Sequence, residues 1–219
     1  MTRIDLHVHT TASSCSVFTP RELTELALAM SLGAVVTTNH HNCTGDAPYL
    51  RSALESAGIQ YYAGMEITNQ WGDFILLGSN LGDFHRIKKR FPVDLLPRPD
   101  VAVIWAHPYR LMSPAQVDRL RDVVAPFVDA VEGINGNCLH SCPRNNQLAI
   151  RAAQYMNLPV TGGSDAHHCN MFMDAWTEFE EPVNSIIDLV TQIKQGKIRP
   201  GVKTEYSRGF MASHCKYPV

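Results

Sequence analysis

The 219-residue sequence is poor in charge: only 18% of its residues are Asp, Glu, Lys or Arg, and 19 basic against 21 acidic residues leave a formal net charge of -2. Without a basic surface or a polybasic run it lacks the signature of nucleic-acid or anionic-membrane binding, and a small molecule is the expected partner. No apolar run approaches the roughly 18 residues that a membrane span needs, and MTRIDLHVHT has neither the apolar core nor the small-residue cleavage site of a signal peptide. A cytoplasmic protein is expected. Low-complexity segments and linkers are missing too, so residues 1–219 read as a single domain, with 45% hydrophobic content for its core. The six cysteines have no secreted context, which argues for free thiols or metal ligands over a disulfide framework. Nothing in the sequence speaks to oligomeric state.

What is abundant is histidine. There are ten, most of them just after short apolar runs. These runs, at 3–9, 34–40, 60–68, 73–79, 101–107, 130–135 and 159–165, alternate with helical stretches, the pattern of repeated βα units and a parallel sheet. Thr19, Pro20 and Glu22 form a capping box with proline at the first helical position, ahead of Leu23, Leu26, Ala27 and Met30 on one face. Ser113, Pro114 and Gln116 repeat the device before Val117, Leu120, Val123 and Val124. A last helix over 183–195 carries Ile186, Ile187, Val190 and Ile193 and stops at Gly196. The tail from Lys197 shows no periodicity.

In RIDLHVH, His7 and His9 are two apart and share one face of a strand, as paired metal ligands must. The spacing recurs in GGSDAH, with Asp165 and His167. Between them His40, Glu66 and His107 each stand where an apolar run ends. In a closed βα barrel these ends converge on one face, and imidazole with carboxylate at that density suits zinc, manganese or iron better than calcium.

Together DLHVHT with TPREL, TTNHH, GMEIT, AHPYR, INGN and GSDAHH make the chain resemble the PHP (polymerase and histidinol phosphatase) family over about residues 3–170. The resemblance implies a distorted seven-stranded βα barrel, TIM-like, and a metal-dependent phosphoesterase with two or three divalent ions. It implies that His7, His9, Glu66 and Asp165 hold one metal, Glu66 and His107 a second, and that His40 and His167 contribute to a third.

Departures from the family pattern are as informative. Where members carry an acid or histidine after the HxH pair, this chain has Ser14 and Cys15, and Cys15 is a candidate thiolate ligand. The fourth strand offers Ile75 or Asn80 in place of a ligand histidine, with His85 further on, so the second site is expected to be short of ligands. Asn39 replaces the aspartate before His40, removing a charge that would orient the site. Asp5 is expected to orient a neighbour and not to bind metal. His41, His140 and His168 read as neighbours of the site, and His85 and His214 as surface residues. Arg110 and Arg144 are candidates for phosphate, which the guanidinium fork matches.

Hydrolysis of a small phosphate ester by metal-bound hydroxide is therefore the expected activity. Two alternatives stand beside it: a metal-dependent amidohydrolase, which the absence of a lysine at any strand end disfavours, and a degenerate PHP module that binds metal or nucleotide without catalysis.

Overall fold

A computed structural model describes residues 1–40, 45–79, 81 and 98–203. Of the residues discussed above, His41, Cys43, Asn80, His85, His214 and Cys215 lie outside that range.

Strands and helices alternate through much of the chain. In order they are β1 (Thr2–Ile4), α1 (Pro20–Ala29), β2 (Ala34–Thr37), α2 (Ala47–Glu55), β3 (Gln60–Ala63), β4 (Met65–Asn69), β5 (Gly72–Gly78), β6 (Val101–Ala106) and α3 (Pro114–Val124). Then follow β7 (Ala130–Asn135), α4 (Gly136–Ser141), α5 (Pro143–Met156), β8 (Val160–Gly163), β9 (Ala175–Phe179), α6 (Ile186–Gln195) and β10 (Ile198–Val202).

The helix boundaries follow local chemistry. At α1 the Thr19 backbone N–H donates to Glu22 Oε2 at 2.8 Å and the Glu22 N–H donates to Thr19 Oγ1 at 3.2 Å, the reciprocal capping box. The helix buries Leu23 and Ala27, whereas Met30, at its C-cap, is exposed. Ser185 Oγ accepts from the Asp188 N–H at 3.1 Å to start α6, and Gly196 ends it in the left-handed region.

The sheets correct the expectation of a closed, parallel, seven-stranded barrel. Among the described residues the strands form three sheets: β4-β5-β6-β7-β8, β2-β3 and β1-β9-β10. Strand β5 runs antiparallel to both β4 and β6, while β6-β7-β8 and β2-β3 are parallel. The reversal has a simple cause. Only Gln70 and Trp71 separate β4 from β5, and a connection that short can join only antiparallel strands. The segment after β1 links the sheets without a continuous ladder: Thr38 N–H donates to Val8 O at 2.8 Å and His9 N–H to Ala166 O at 2.9 Å. A further isolated bridge joins His40 to Glu66. Strands β9 and β10 pair antiparallel in stretches where no strand was expected, including the start of the tail.

Alternation along β5 and β6 divides the core in two. Phe74, Leu76, Val103 and Trp105 face α3 and α5, while Ile75, Leu77, Ala102 and Ile104 face inward onto Ile4, Leu6, Leu189 and Ile193. Both faces are apolar, as in a sheet covered on each side. Helix α6 thus lies beneath the inner core, and the polar residues collect at the opposite end, where β2, β4, β6 and β8 point. Among the described residues no helix is long and apolar enough to cross a membrane.

Candidate metal centre

Seven of the residues expected to bind metal come together at that end, and four of them, all histidines, meet on Glu66. Its Oε2 lies 3.1 Å from His40 Nδ1, 3.2 Å from His9 Nε2 and 3.5 Å from His7 Nε2, and its Oε1 lies 3.2 Å from His107 Nε2. Asp165 Oδ1 stands 3.5 Å from Nε2 of both His7 and His9. The imidazole of His167 is ring to ring with that of His9, centroids 4.5 Å apart, and His40 stacks on His9 from 4.6 Å. Cys15, His9, His40 and His167 offer donor atoms all within 4.8 Å of one another.

Backbone shape contributes. His107 and Asp165 both have positive φ, 27° and 55°, a conformation seldom adopted without glycine and often found where function holds it. Gly163 lets the β1 segment approach: a Cβ there would stand 2.6 Å from His7 Cβ and 2.8 Å from Glu132 Oε1. Asp5 does not face the cluster. It accepts backbone N–H groups from Ser164 at 2.8 Å, Met173 at 3.1 Å and His7 at 3.2 Å, clamping the first segment to the last. Burial pushes its carboxyl up to about 6 against the pull of those hydrogen bonds.

Two carboxylates that sequence reasoning missed stand behind the histidines. Glu132, buried in the apolar run AVEGIN, accepts from His7 Nδ1 at 2.9 Å, from the His107 backbone N–H at 3.0 Å and from Asn135 Nδ2 at 3.0 Å. This fixes the His7 tautomer and leaves Nε2 for the cluster. Asp73 Oδ2 lies 3.8 Å from His107 Nδ1, and Glu66, Asp73 and His107 form a further potential ligand group. A fourth-strand ligand is expected near Ile75 or Asn80, but β5 runs the other way. Ile75 is inner core, and the strand's first residues are those beside the site. The only signal was a buried-type acid two residues after Trp71.

The other candidates divide. An Arg110 Nη1 pairs with Asp165 Oδ2 at the edge of the cluster. Arg144 is exposed on the first turn of α5 and makes no ion pair among the described residues. His140 turns to Asp174, at 3.0 Å, and His168 is exposed. Asn39 takes the Thr10 N–H at 2.8 Å and the Ser13 hydroxyl at 3.0 Å, and its amide lies 3.4 Å from Asp46 Oδ2. It orders the loop that carries Cys15.

The donor set fits divalent metal. Burial disfavours a charged imidazole at His7, yet Asp165, Glu132 and Glu66 outweigh it and push its pKa well above the histidine range. Burial likewise opposes ionisation of Glu66, and the surrounding histidines, His7 foremost, hold its pKa well below the carboxylate range. His7 Nε2 and His9 Nε2 are 3.1 Å apart and face the same two carboxylate oxygens, while the buried His9 Nδ1 has no partner. A cation among these atoms would satisfy two nitrogens and two oxygens together, a mixed set of the kind transition metals take.

Comparison with known proteins bears on the fold. The family model described as PHP-associated matches residues 143–198, which include Asp165 and His167. The chain superposes on PsfC from Pseudomonas syringae with a TM-score of 0.67 at 17% identity, over 98% of each chain. It superposes on a two-domain protein from Bacteroides vulgatus, containing a predicted PHP-like metal-dependent phosphoesterase, with a TM-score of 0.66 at 18% identity, over 96% of this chain and 69% of that one. The fold is of the PHP type. A Chromobacterium violaceum amidohydrolase, solved with sulfate and no metal, shares this PHP-type fold at a TM-score of 0.60 and 17% identity, over 92% of this chain and 99% of that one. No curated protein matches the sequence.

Proposed function

We propose that the chain is a metal-dependent phosphoesterase that hydrolyses a small phosphate ester, working as one domain. The observation that carries this reading is the convergence of four imidazoles on the two oxygens of Glu66, all within 3.5 Å. We assign His7, His9, Glu66 and Asp165 to one ion and Glu66 and His107 to a second, with Asp73 beside it. His40 and His167 belong to a third, with Cys15 and His9 within reach. Zinc, manganese or iron suits these donors. When bound, such ions polarise a phosphoryl oxygen and lower the pKa of water from about 15.7 to about 7.

The chain's own residues would hold and orient. Glu132 keeps His7 turned inward, and Asn135 and Asn137 fix Asp165 through contacts of 3.3 Å to Oδ2 and 2.9 Å to its carbonyl. Arg110, partly exposed and seated on Asp165, is the group we assign to the phosphate. A phosphate ester is favoured over a C–N substrate because the lysines among the described residues, Lys194, Lys197 and Lys203, are paired with Asp129, Glu181 and Asp174, none of them a proposed metal ligand, and so are not assigned as a bridging carbamate. Metal analysis combined with a screen of phosphate monoesters, diesters and amides tests the proposal. Turnover of amides alone would overturn it.

A further inference from the structure

Beside the cluster lies a cavity of about 400 Å³, bounded by the β4–β5 hairpin at Asn69 and Gly72, the loop after β6 at Pro108 and Met112, and α3 at Arg119 and Leu120. His107 and Asp73 also line it, so it abuts the proposed centre. Two N–H donors in this region are buried and unmet: Asn69 Nδ2, on a residue that lines the cavity, and Trp105 Nε1, on β6 behind Gly72. Asn69 Oδ1 accepts the Trp71 N–H at 2.8 Å, which fixes the amide with Nδ2 as its unsatisfied end. Trp105 is fully buried, and a Cβ on Gly72 would stand 3.1 Å from its indole nitrogen. Glycine at this position, where φ is +114°, keeps a Cβ from crowding both that N–H and Met112 Cε, which would stand 3.0 Å away. Buried donors without acceptors are rare, and each calls for a partner.

The charge of the cavity points to what that partner is. Arg119 is exposed and makes no ion pair among the described residues. Gln116 Oε1 is already occupied by the Ser113 N–H and hydroxyl at 2.9 and 2.8 Å. The one lining carboxylate, Asp73, is turned to His107. Met112 and Leu120 supply apolar surface between the two ends.

We propose that this cavity is a recognition site for the far end of the substrate, and that it takes an anionic oxygen group, a carboxylate or a second phosphate, carried on a short apolar stem. The inference rests on the phosphoesterase reading, which would place the reacting phosphate at the neighbouring ions. Three non-hydrolysable probes test it by calorimetric titration of the zinc-loaded full chain: benzylphosphonate, 4-carboxybenzylphosphonate and 1,4-xylylenebisphosphonate. At least one of the two-headed probes is expected to bind about tenfold tighter than benzylphosphonate, the ordinary worth of a charge-assisted hydrogen bond, and whichever gains more identifies the head group. Arg119→Ala, and Asn69→Asp, which keeps the acceptor for Trp71 but removes the donor, are each expected to bring that ratio close to one. Arg119 is exposed, so its substitution carries the test even if Asn69→Asp impairs folding. Equal binding of all three probes, or a preference that survives Arg119→Ala, overturns the subsite while leaving the phosphoesterase reading in place. Failure of every phosphonate to bind the zinc-loaded protein overturns both.

Discussion

Replacing Glu66 by Gln preserves the side chain's shape but removes the negative charge faced by His7, His9, His40 and His107. We expect Glu66→Gln to lower kcat/KM beyond the roughly 10–100-fold that changes to supporting residues cost at metal sites. His140→Ala, which disturbs a pair with Asp174 and removes no proposed ligand, should cost far less. The opposite ranking would mean that the ligand assignment is wrong. Cys15→Ser should weaken the third site while sparing the first, read by elemental analysis after dialysis against limiting zinc, because a thiolate binds zinc where a neutral hydroxyl does not. Unchanged stoichiometry would remove Cys15 from the ligand set. In the sequence, His7, His9, Asp165 and His167 stood out by their two-residue spacing, and His40, Glu66 and His107 by standing where an apolar run ends. Glu132 and Asp73 did not: one is embedded in an apolar run, and the other begins a strand that runs antiparallel to its neighbours.

Among elements, the helix ends with local chemical punctuation and the apolar runs of β6 and β7 match the sequence reading, whereas β9, β10 and the direction of β5 do not. Thr19, Pro20 and Glu22 mark the start of α1 wherever the rest of the chain goes, and Gly196 marks the end of α6. By contrast, β9 and β10 exist because they pair with each other across α6 and β9 pairs with β1, a contact spanning most of the chain, and nothing local announces them. The β4–β5 reversal belongs between these cases, since the short gap between the runs at 60–68 and 73–79 was present in the sequence but lacked an Asn-Gly or Asp-Gly turn pair. Helix α1 begins at the end of the loop that carries Ser13 and Cys15, so its cap bears on the site as well as on stability. Thr19→Ala should lower unfolding free energy by about 1 kcal/mol, measured by urea denaturation. No change would show that Glu22 and Pro20 hold the helix start without it.

For the molecule as a whole, the buried histidines and carboxylates at one end make folding and metal binding a single linked equilibrium. An ion present at about 100 times its dissociation constant stabilises the folded chain by about 2.7 kcal/mol, so chelation should lower Tm by roughly 5–10 °C in a protein of this size. A melting curve indifferent to chelator would mean that the cluster holds no metal. The most direct measurement is phosphate release from a panel of phosphate monoesters by the full chain, stripped with chelator and then reloaded with zinc or manganese. The expected result is no release from the stripped protein and recovery on reloading; equal release before and after reloading, or none in either state, would contradict the proposed activity.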